Sequence, residues 1–490
     1  MTSAEWWRSA VFYEIYVRSF ADSDGDGVGD LQGVRSRLPY LRRLGVDAVW
    51  LTPFYPSPGV DHGYDVANYV DVDPLFGSLD DFDALLTDAH ALGLRVIVDI
   101  VPNHTSIEHP WFRERPELYV WADEVPNNWP SVFGGPAWSR DEAGGRYYLH
   151  LFAPEQPDLD WHNHQVGAEF ERILRFWLER GVDGFRIDVA WGLFKDPELR
   201  DEPEPFPDAV YSSDWRAATD RPELHPLYRD WRRMVDAYPG DRVLVAEAMF
   251  SDPRRVAPYV APDELHLAFN FTLLLEPWDV QRIRAAIEAS LAAFAPLGAT
   301  TTWVLESHDV TRLPTRYGSL RRARAAALLL LALPGAAFLY QGQELGLEEV
   351  DLPDELRQDP IFRRTGGARP GRDGCRVPIP WTTDPPAFGF TSGAPWLPMP
   401  PDWGPRSAAA QDGDPASMLE LVRNALEARP NGPFEWRDSD AGTIAFSRGT
   451  VVCIVNVGGE AVLLPPGELV LASEPLGSTL PAGAAAWLRC

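Results

Sequence analysis

Basic residues are scarce in this chain. Its 490 residues carry 44 Lys and Arg against 72 Asp and Glu, a formal net charge of −28. Such a surface repels polyanions, so neither nucleic acid nor an anionic membrane is an expected partner, whereas a neutral solute is indifferent to it. Cysteine is scarcer still. Cys375, Cys453 and Cys490 are widely spaced, odd in number and not clustered like metal ligands, and they read as free thiols of a reducing compartment. Long apolar runs are missing. The longest, Ala325 to Leu333, stops at Pro334, too short to span a bilayer. The opening residues, MTSAEWWRSAVFYEIY, lack the basic stretch and apolar core of a secretory signal. The expectation is a cytoplasmic protein, monomer or homodimer, with no membrane partner.

Hydrophobic residues make up 45% of the chain and aromatics 12%, ample for a large core and for more than one domain. The 19 Trp and 15 Tyr suit either that core or the stacking of sugar rings, and composition does not separate the two.

Short apolar runs alternate with helical periodicity along most of the chain. Strands are expected at Val11 to Val17, Ala48 to Leu51, Arg95 to Ile100, Gly184 to Val189, Val243 to Ala246, Leu265 to Phe271, Thr301 to Leu305 and Ala336 to Tyr340. Helical spacing at Leu31, Val34, Leu38, Leu41 and Leu44 ends at Gly45, and Ser78-x-x-Asp81 reads as a capping box. A further helix is expected around Trp231 to Tyr238, after a charged, Pro-rich loop at 192–230. Eight such alternations predict an α/β fold, a (β/α)8 barrel spanning 1–104 and 161–430. Residues 105–160 are rich in Trp, Pro, Asn and Gly without helical period, and predict a small subdomain inserted after the third strand. From 431 to 490 short β-runs with Gly turns predict a C-terminal all-β domain. No repeat is visible beyond the βα unit.

Asp22, Asp24, Asp26 and Asp30 alternate with Gly in a single loop. Crowded carboxylates repel one another unless a hard cation sits among them, and calcium, or else magnesium, in a structural role is expected. A full EF-hand loop would add a Glu at its twelfth position, and none is there.

Chemistry is expected where strands end. In Gly184-Phe-Arg-Ile-Asp188, Arg186 and Asp188 point the same way, because side chains alternate along a strand. The guanidinium keeps the carboxylate ionised and oriented, as a nucleophile requires. An isolated Arg-x-Asp is more often a structural ion pair. Glu247 and Asp309, however, also fall just past strands, and in a barrel all three converge on one mouth. Paired carboxyls suit glycosidic-bond cleavage: one attacks the anomeric carbon while the other, its pKa raised by its neighbours, protonates the leaving oxygen. A third could stabilise the oxocarbenium-like transition state.

Those residues lie in segments whose combination resembles the α-amylase superfamily of glycoside hydrolases, and within it the α-glucosidase and oligo-1,6-glucosidase branch. The segments are DIVPNHT (99–105), GFRIDVA (184–190), VAEAM (245–249) and ESHDVTR (306–312), with DHGYDVANY (61–69), HLFAPEQPDLDW (150–161) and YQGQELG (340–346). The resemblance implies a retaining double displacement on small α-glucosides, with Asp188 as nucleophile, Glu247 as acid/base and Asp309 as stabiliser. It implies that His104, Arg186 and His308 line the pocket for the terminal glucose, that Tyr64 is a stacking platform and Phe152 a wall. It further implies that Asp61 pairs with Arg376 at the pocket floor, and that Val28 lends a carbonyl to the calcium loop.

Two departures bear on specificity. The stretch between Trp111 and Trp121 is shorter than in many members of the branch. Val after the nucleophile, here Val189, accompanies α-1,6 preference in the branch, while Ala190 does not fit that pattern. One methyl-scale contact shifts discrimination by only ~1–3 kcal/mol, so a broad α-glucosidase is expected, slightly favouring α-1,4 bonds. A transglycosylase or sugar isomerase would use the same acids. A non-catalytic relative, such as a transporter heavy-chain ectodomain, would be expected to have lost the acids and to carry a membrane span.

Overall fold

The computed structural model describes residues 5–202 and 217–490. Eight strands form its centre: β1 (Val11–Ile15), β2 (Ala48–Leu51), β3 (Arg95–Ile100), β4 (Gly184–Ile187), β5 (Val243–Ala246), β6 (Leu267–Ala268), β7 (Thr302–Val304) and β8 (Ala336–Tyr340). They lie in the order β7-β8-β1-β2-β3-β4-β5-β6, and every ladder is parallel. This is the expected barrel, nearly closed. No ladder among the described residues joins β6 to β7; the Thr302 hydroxyl bridges that seam by donating to the Ala268 carbonyl. Parallel strands covered on both faces read as near-continuous apolar runs, which is why they were legible.

Local rules place the helices. Asp30 caps α1 (Leu31–Leu44) by accepting from the Gly33 N–H, and Gly45 ends it at φ 100°, a left-handed position cheap only for glycine. The Ser78/Asp81 capping box opens α2 (Leu79–Ala91) with both reciprocal bonds made. After α3 (His164–Arg180), helix α4 (Leu224–Asp236) begins well ahead of the expected Trp231. Pro226 falls in its first turn, where a missing N–H costs nothing, so proline marked no break there. Residues 203–216 of the expected 192–230 loop lie outside the described residues. Strand β6 is shorter than expected because Asn270 caps a short helix at Phe271–Leu274, accepting from the Thr272 N–H.

The excursion after β3 holds a short helix, Pro110–Glu114, and a three-stranded antiparallel sheet of Trp121–Ala122, Tyr147–Leu149 and Trp138–Arg140. Phe112, Trp121 and Tyr148 pack its centre. An antiparallel bridge between His104 and Asp158 ties its two ends to the barrel mouth.

Five antiparallel strands close the chain, in the order Phe434–Trp436, Thr443–Arg448, Val451–Asn456, Ala485–Arg489, Glu468–Ala472. Side chains alternate across this sheet. Ile444, Phe446, Val455 and Trp487 join the main core, while Ala445, Ile454, Ala486 and Leu488 form a small core on the other face. Between barrel and sheet runs α6 (Leu320–Ala332), which follows α5 (Val280–Phe294); α7 (Met418–Glu427) precedes the sheet. The long Ala/Leu run is explained here: α6 is buried nearly all round, against the barrel on one side and the sheet on the other. Among the described residues no helix is long and apolar enough to cross a membrane.

Candidate active site

The carboxyl ends of the strands converge on one pocket. Its wall includes Asp61, Tyr64, His104, Phe152, Asp188, Glu247, His308 and Asp309. Arg186, only 2% exposed, stands behind that wall rather than on it and gathers the acids from three strands. Its Nη1 donates to Asp188 Oδ1 at 2.6 Å and to Asp99 Oδ1 at 2.9 Å, and its Nη2 lies 2.9 Å from Glu247 Oε2. The guanidinium also faces the Trp50 ring at 5.0 Å. One planar fork thus fixes two carboxylates of the pocket side by side.

Burial pushes the Asp188 carboxyl well above its ordinary value. Arg186 pulls against it, and the neighbouring Glu247 and Asp99 push it further up. Asp99 is likewise pushed up to about 7 by burial, with Arg186 opposing. Asp309 behaves oppositely. Burial raises it, but His308, Arg372, Arg376 and Arg186 outweigh that and hold it well below the usual carboxylate range. Burial thus raises Asp188 and Asp99, while His308 and the arginines lower Asp309, so carboxyls a few ångströms apart differ in proton affinity.

The floor corrects one expectation. Asp61 is paired with Arg372, not Arg376: Arg372 Nη2 lies 2.7 Å from Asp61 Oδ1. Arg372 also reaches Asp309 Oδ1 at 3.0 Å and Asp359 Oδ2 at 2.6 Å. Arg376 is fully buried one turn on, and supports Asp309 instead, at 3.0 Å, while donating to the His308 carbonyl at 2.8 Å. Both arginines lie in GRDGCR around a short turn at Asp373–Cys375, so the sequence offered two candidates and no way to tell which faced Asp61.

His308 is clasped between rings, with Tyr64 stacked on it at 5.4 Å and Tyr16 at 5.6 Å. Its Nδ1 lies 2.5 Å from Glu14 Oε1, and its Nε2 lies 3.4 Å from Asp309 Oδ1. Tyr64 donates its hydroxyl to Asp99 Oδ2 at 3.0 Å, so its ring orientation is set from behind. His104 lies against Phe152 at 5.1 Å. Glu14, Asp99 and Arg372 were not anticipated. For Glu14 and Asp99 a signal existed: each is a lone acid in an otherwise apolar strand, and a buried charge needs a partner.

Beside the pocket, and sharing Asp309 and Arg372 with it, opens a cavity of about 560 Å³ bounded by Leu274, Val310, Glu349 and Arg369.

The acidic loop places Asp22, Asp24 and Asp30 with carboxylate oxygens within 4.8 Å of one another. Asp26 is not in this group; its Oδ1 accepts from the Val28 N–H at 2.8 Å. Three clustered carboxylates fit the all-oxygen donor set of a calcium ion.

The α-amylase catalytic domain matches residues 14–434. A probable α-glucosidase of Rhizobium meliloti is 40% identical, over 93% of this chain and 90% of that protein. An oligo-1,6-glucosidase of Parageobacillus thermoglucosidasius is 35% identical, over 86% and 83%. Among solved structures, an α-glucosyl transfer enzyme superposes with a TM-score of 0.91 at 39% identity, covering 99% of both chains. The trehalulose synthase of Pseudomonas mesoacidophila gives 0.90 at 31%, covering 99% of this chain and 100% of that one.

Proposed function

This chain belongs to the α-amylase family, and from that premise we propose that it is a retaining, exo-acting α-glucosidase of small oligosaccharides. One observation carries the reading: Asp188 and Glu247 grip the same Arg186 guanidinium, at 2.6 and 2.9 Å. Carboxyls that close leave no room for a water between them and the sugar, as inversion requires, and suit attack by one of them instead. Asp188 attacks the anomeric carbon, and Glu247 protonates the leaving oxygen. Water, activated by the same Glu247, then releases glucose with its α configuration kept. Asp309, held ionised by two arginines, faces the positive charge that develops on the ring. The Asp61–Arg372 pair across the floor supports exo action, since it stops the substrate chain at one glucose.

The test is product analysis by NMR on maltose, isomaltose, sucrose, trehalose and an aryl α-glucoside. Free α-glucose is expected from maltose and, more slowly, from isomaltose. New disaccharides as the main product would instead favour glucosyl transfer or isomerisation; one of the similar structures is named an α-glucosyl transfer enzyme and another a trehalulose synthase. In the same reading Asp22, Asp24 and Asp30 hold a structural calcium ion that folds the loop before α1, with Asp26 and the Val28 carbonyl as outlying donors. Three unpaired thiols suit a cytoplasmic location.

A further inference from the structure

The cavity of about 560 Å³ beside the pocket has a wall of two kinds. One part is apolar, with Leu274, Val310 and Ile361. The other sets the guanidinia of Arg316, Arg369 and Arg372 against the carboxyls of Asp309 and Glu349. These charges are not equally committed. Arg372 meets Asp61, Asp309 and Asp359. Asp309 is held by Arg376 as well, at 3.0 Å. Glu349 turns Oε2 to the Arg312 N–H at 2.9 Å, and burial raises its carboxyl.

Arg316 and Arg369, both half-buried, form no ion pair with a carboxylate among the described residues. Arg316 donates to the Thr311 and Leu305 carbonyls and lies over the Tyr317 ring, and its Nε is buried without a partner. Arg369 donates to the Val132 carbonyl at 3.3 Å. Val132 is itself on the wall of the inner pocket, so Arg369 stands at the junction of the two spaces. A half-buried cation without a counter-charge is costly, and an anionic ligand recovers that cost. The net charge of −28 does not forbid one. At physiological salt, charges farther off than about 8 Å are largely screened, and the two guanidinia act at contact.

We propose that the preferred substrate is an α-glucoside whose leaving group is anionic: Arg316 and Arg369 hold its carboxylate or phosphate while its carbon skeleton lies on Leu274, Val310 and Ile361. Planar guanidinium forks match the oxygens of either group. The inference rests on the glucosidase reading and names the substrate class of the same site. The test compares substrates that differ in charge but not in linkage. Maltobionate and maltitol carry the same α-1,4 bond to an open chain that ends in a carboxylate or an alcohol; trehalose 6-phosphate and trehalose form the matching pair for phosphate. In at least one pair kcat/KM is expected to be at least about tenfold higher for the charged member, and that pair identifies the anion. In Arg316→Gln/Arg369→Gln the ratio should fall to within about twofold of one. Charged members no better than their neutral twins in both pairs overturn the proposal, and so does a preference that survives the double substitution. The wild-type ratios decide the matter alone if the variant does not fold. Wild-type turnover of p-nitrophenyl α-glucoside is the control: its absence would fail the glucosidase reading, not the charge preference.

Discussion

The Val189 N–H donates to Glu247 Oε2 at 2.8 Å from a left-handed backbone, φ 46°. A β-branched residue rarely adopts that conformation, and holding it there costs on the order of 1–3 kcal/mol. The residue after Asp188 is thus bent out of strand geometry where its amide meets Glu247, and its side chain is left on the pocket wall.

That placement ties specificity to one side chain. Val189→Ala removes two methyls from the wall, and the ratio of kcat/KM for isomaltose to that for maltose is expected to move by about fivefold or more, within the ~1–3 kcal/mol of a methyl-scale contact. Initial rates on both disaccharides measure it. An unchanged ratio would show that Val189 does not meet the leaving sugar.

Asp188 and Glu247, the two pocket-wall carboxylates on Arg186, should fail differently. Asp188→Asn is expected to abolish turnover of every α-glucoside. Glu247→Gln should lose about 10²–10⁴-fold on maltose, the span typical of general acid–base catalysis, but less on an aryl glucoside whose leaving group needs little protonation. Comparing the two substrates in one variant separates the roles.

The pH dependence has a defined sign. Asp188 must be ionised to attack, and its carboxyl is raised, so the acid limb of kcat/KM should lie above the ordinary carboxylate range. Stability follows linkage in the same direction for Asp99, pushed up to about 7. Its protonated form favours the folded state; that contribution is full below the ordinary value and is lost as pH rises through about 7. Tm of Asp99→Asn should therefore fall less than that of wild type between pH 5 and 8, measured by calorimetry.

Arg372 and Arg376 are four residues apart and do different work. A double-mutant cycle of Asp61→Asn with Arg372→Met is expected to show a coupling of about 1.5 kcal/mol or more in glucose binding, as close buried charge pairs do. The same cycle with Arg376→Met should show clearly less, its effect falling on kcat through Asp309. Equal couplings would return Arg376 to the floor.

Calcium removal tests the acidic loop. EDTA is expected to lower Tm, and calcium to restore it, in wild type but not in Asp22→Asn/Asp24→Asn. A Tm indifferent to both would remove the metal from the account.

How much of this was legible follows from what sets each feature. The barrel was legible because strand burial, capping boxes and Gly45-type stops are local. Asp188, Glu247 and Asp309 were legible as carboxylates at strand ends. The Asp61 partner was not, since it depends on how a loop more than three hundred residues away folds back over the pocket. Glu14 and Asp99 left a trace, a charge inside an apolar run, but their partners come from other strands. The start of α4 was hidden by Pro226, which reads as a breaker in sequence and is harmless in a first turn.

The apolar helix α6 sets a limit on how this enzyme can be cut. Trp487 Nε1 reaches the Leu328 carbonyl at 3.3 Å, and Arg448 Nη1 the Ala332 carbonyl at 3.0 Å, so the last sixty or so residues roof the greasy side of a barrel helix. A fragment ending near residue 430 would keep every group of the pocket and still turn that side of α6 to water. For protein engineering the molecule is indivisible: fusions belong at its ends, and a trimmed catalytic core would be expected to precipitate rather than work.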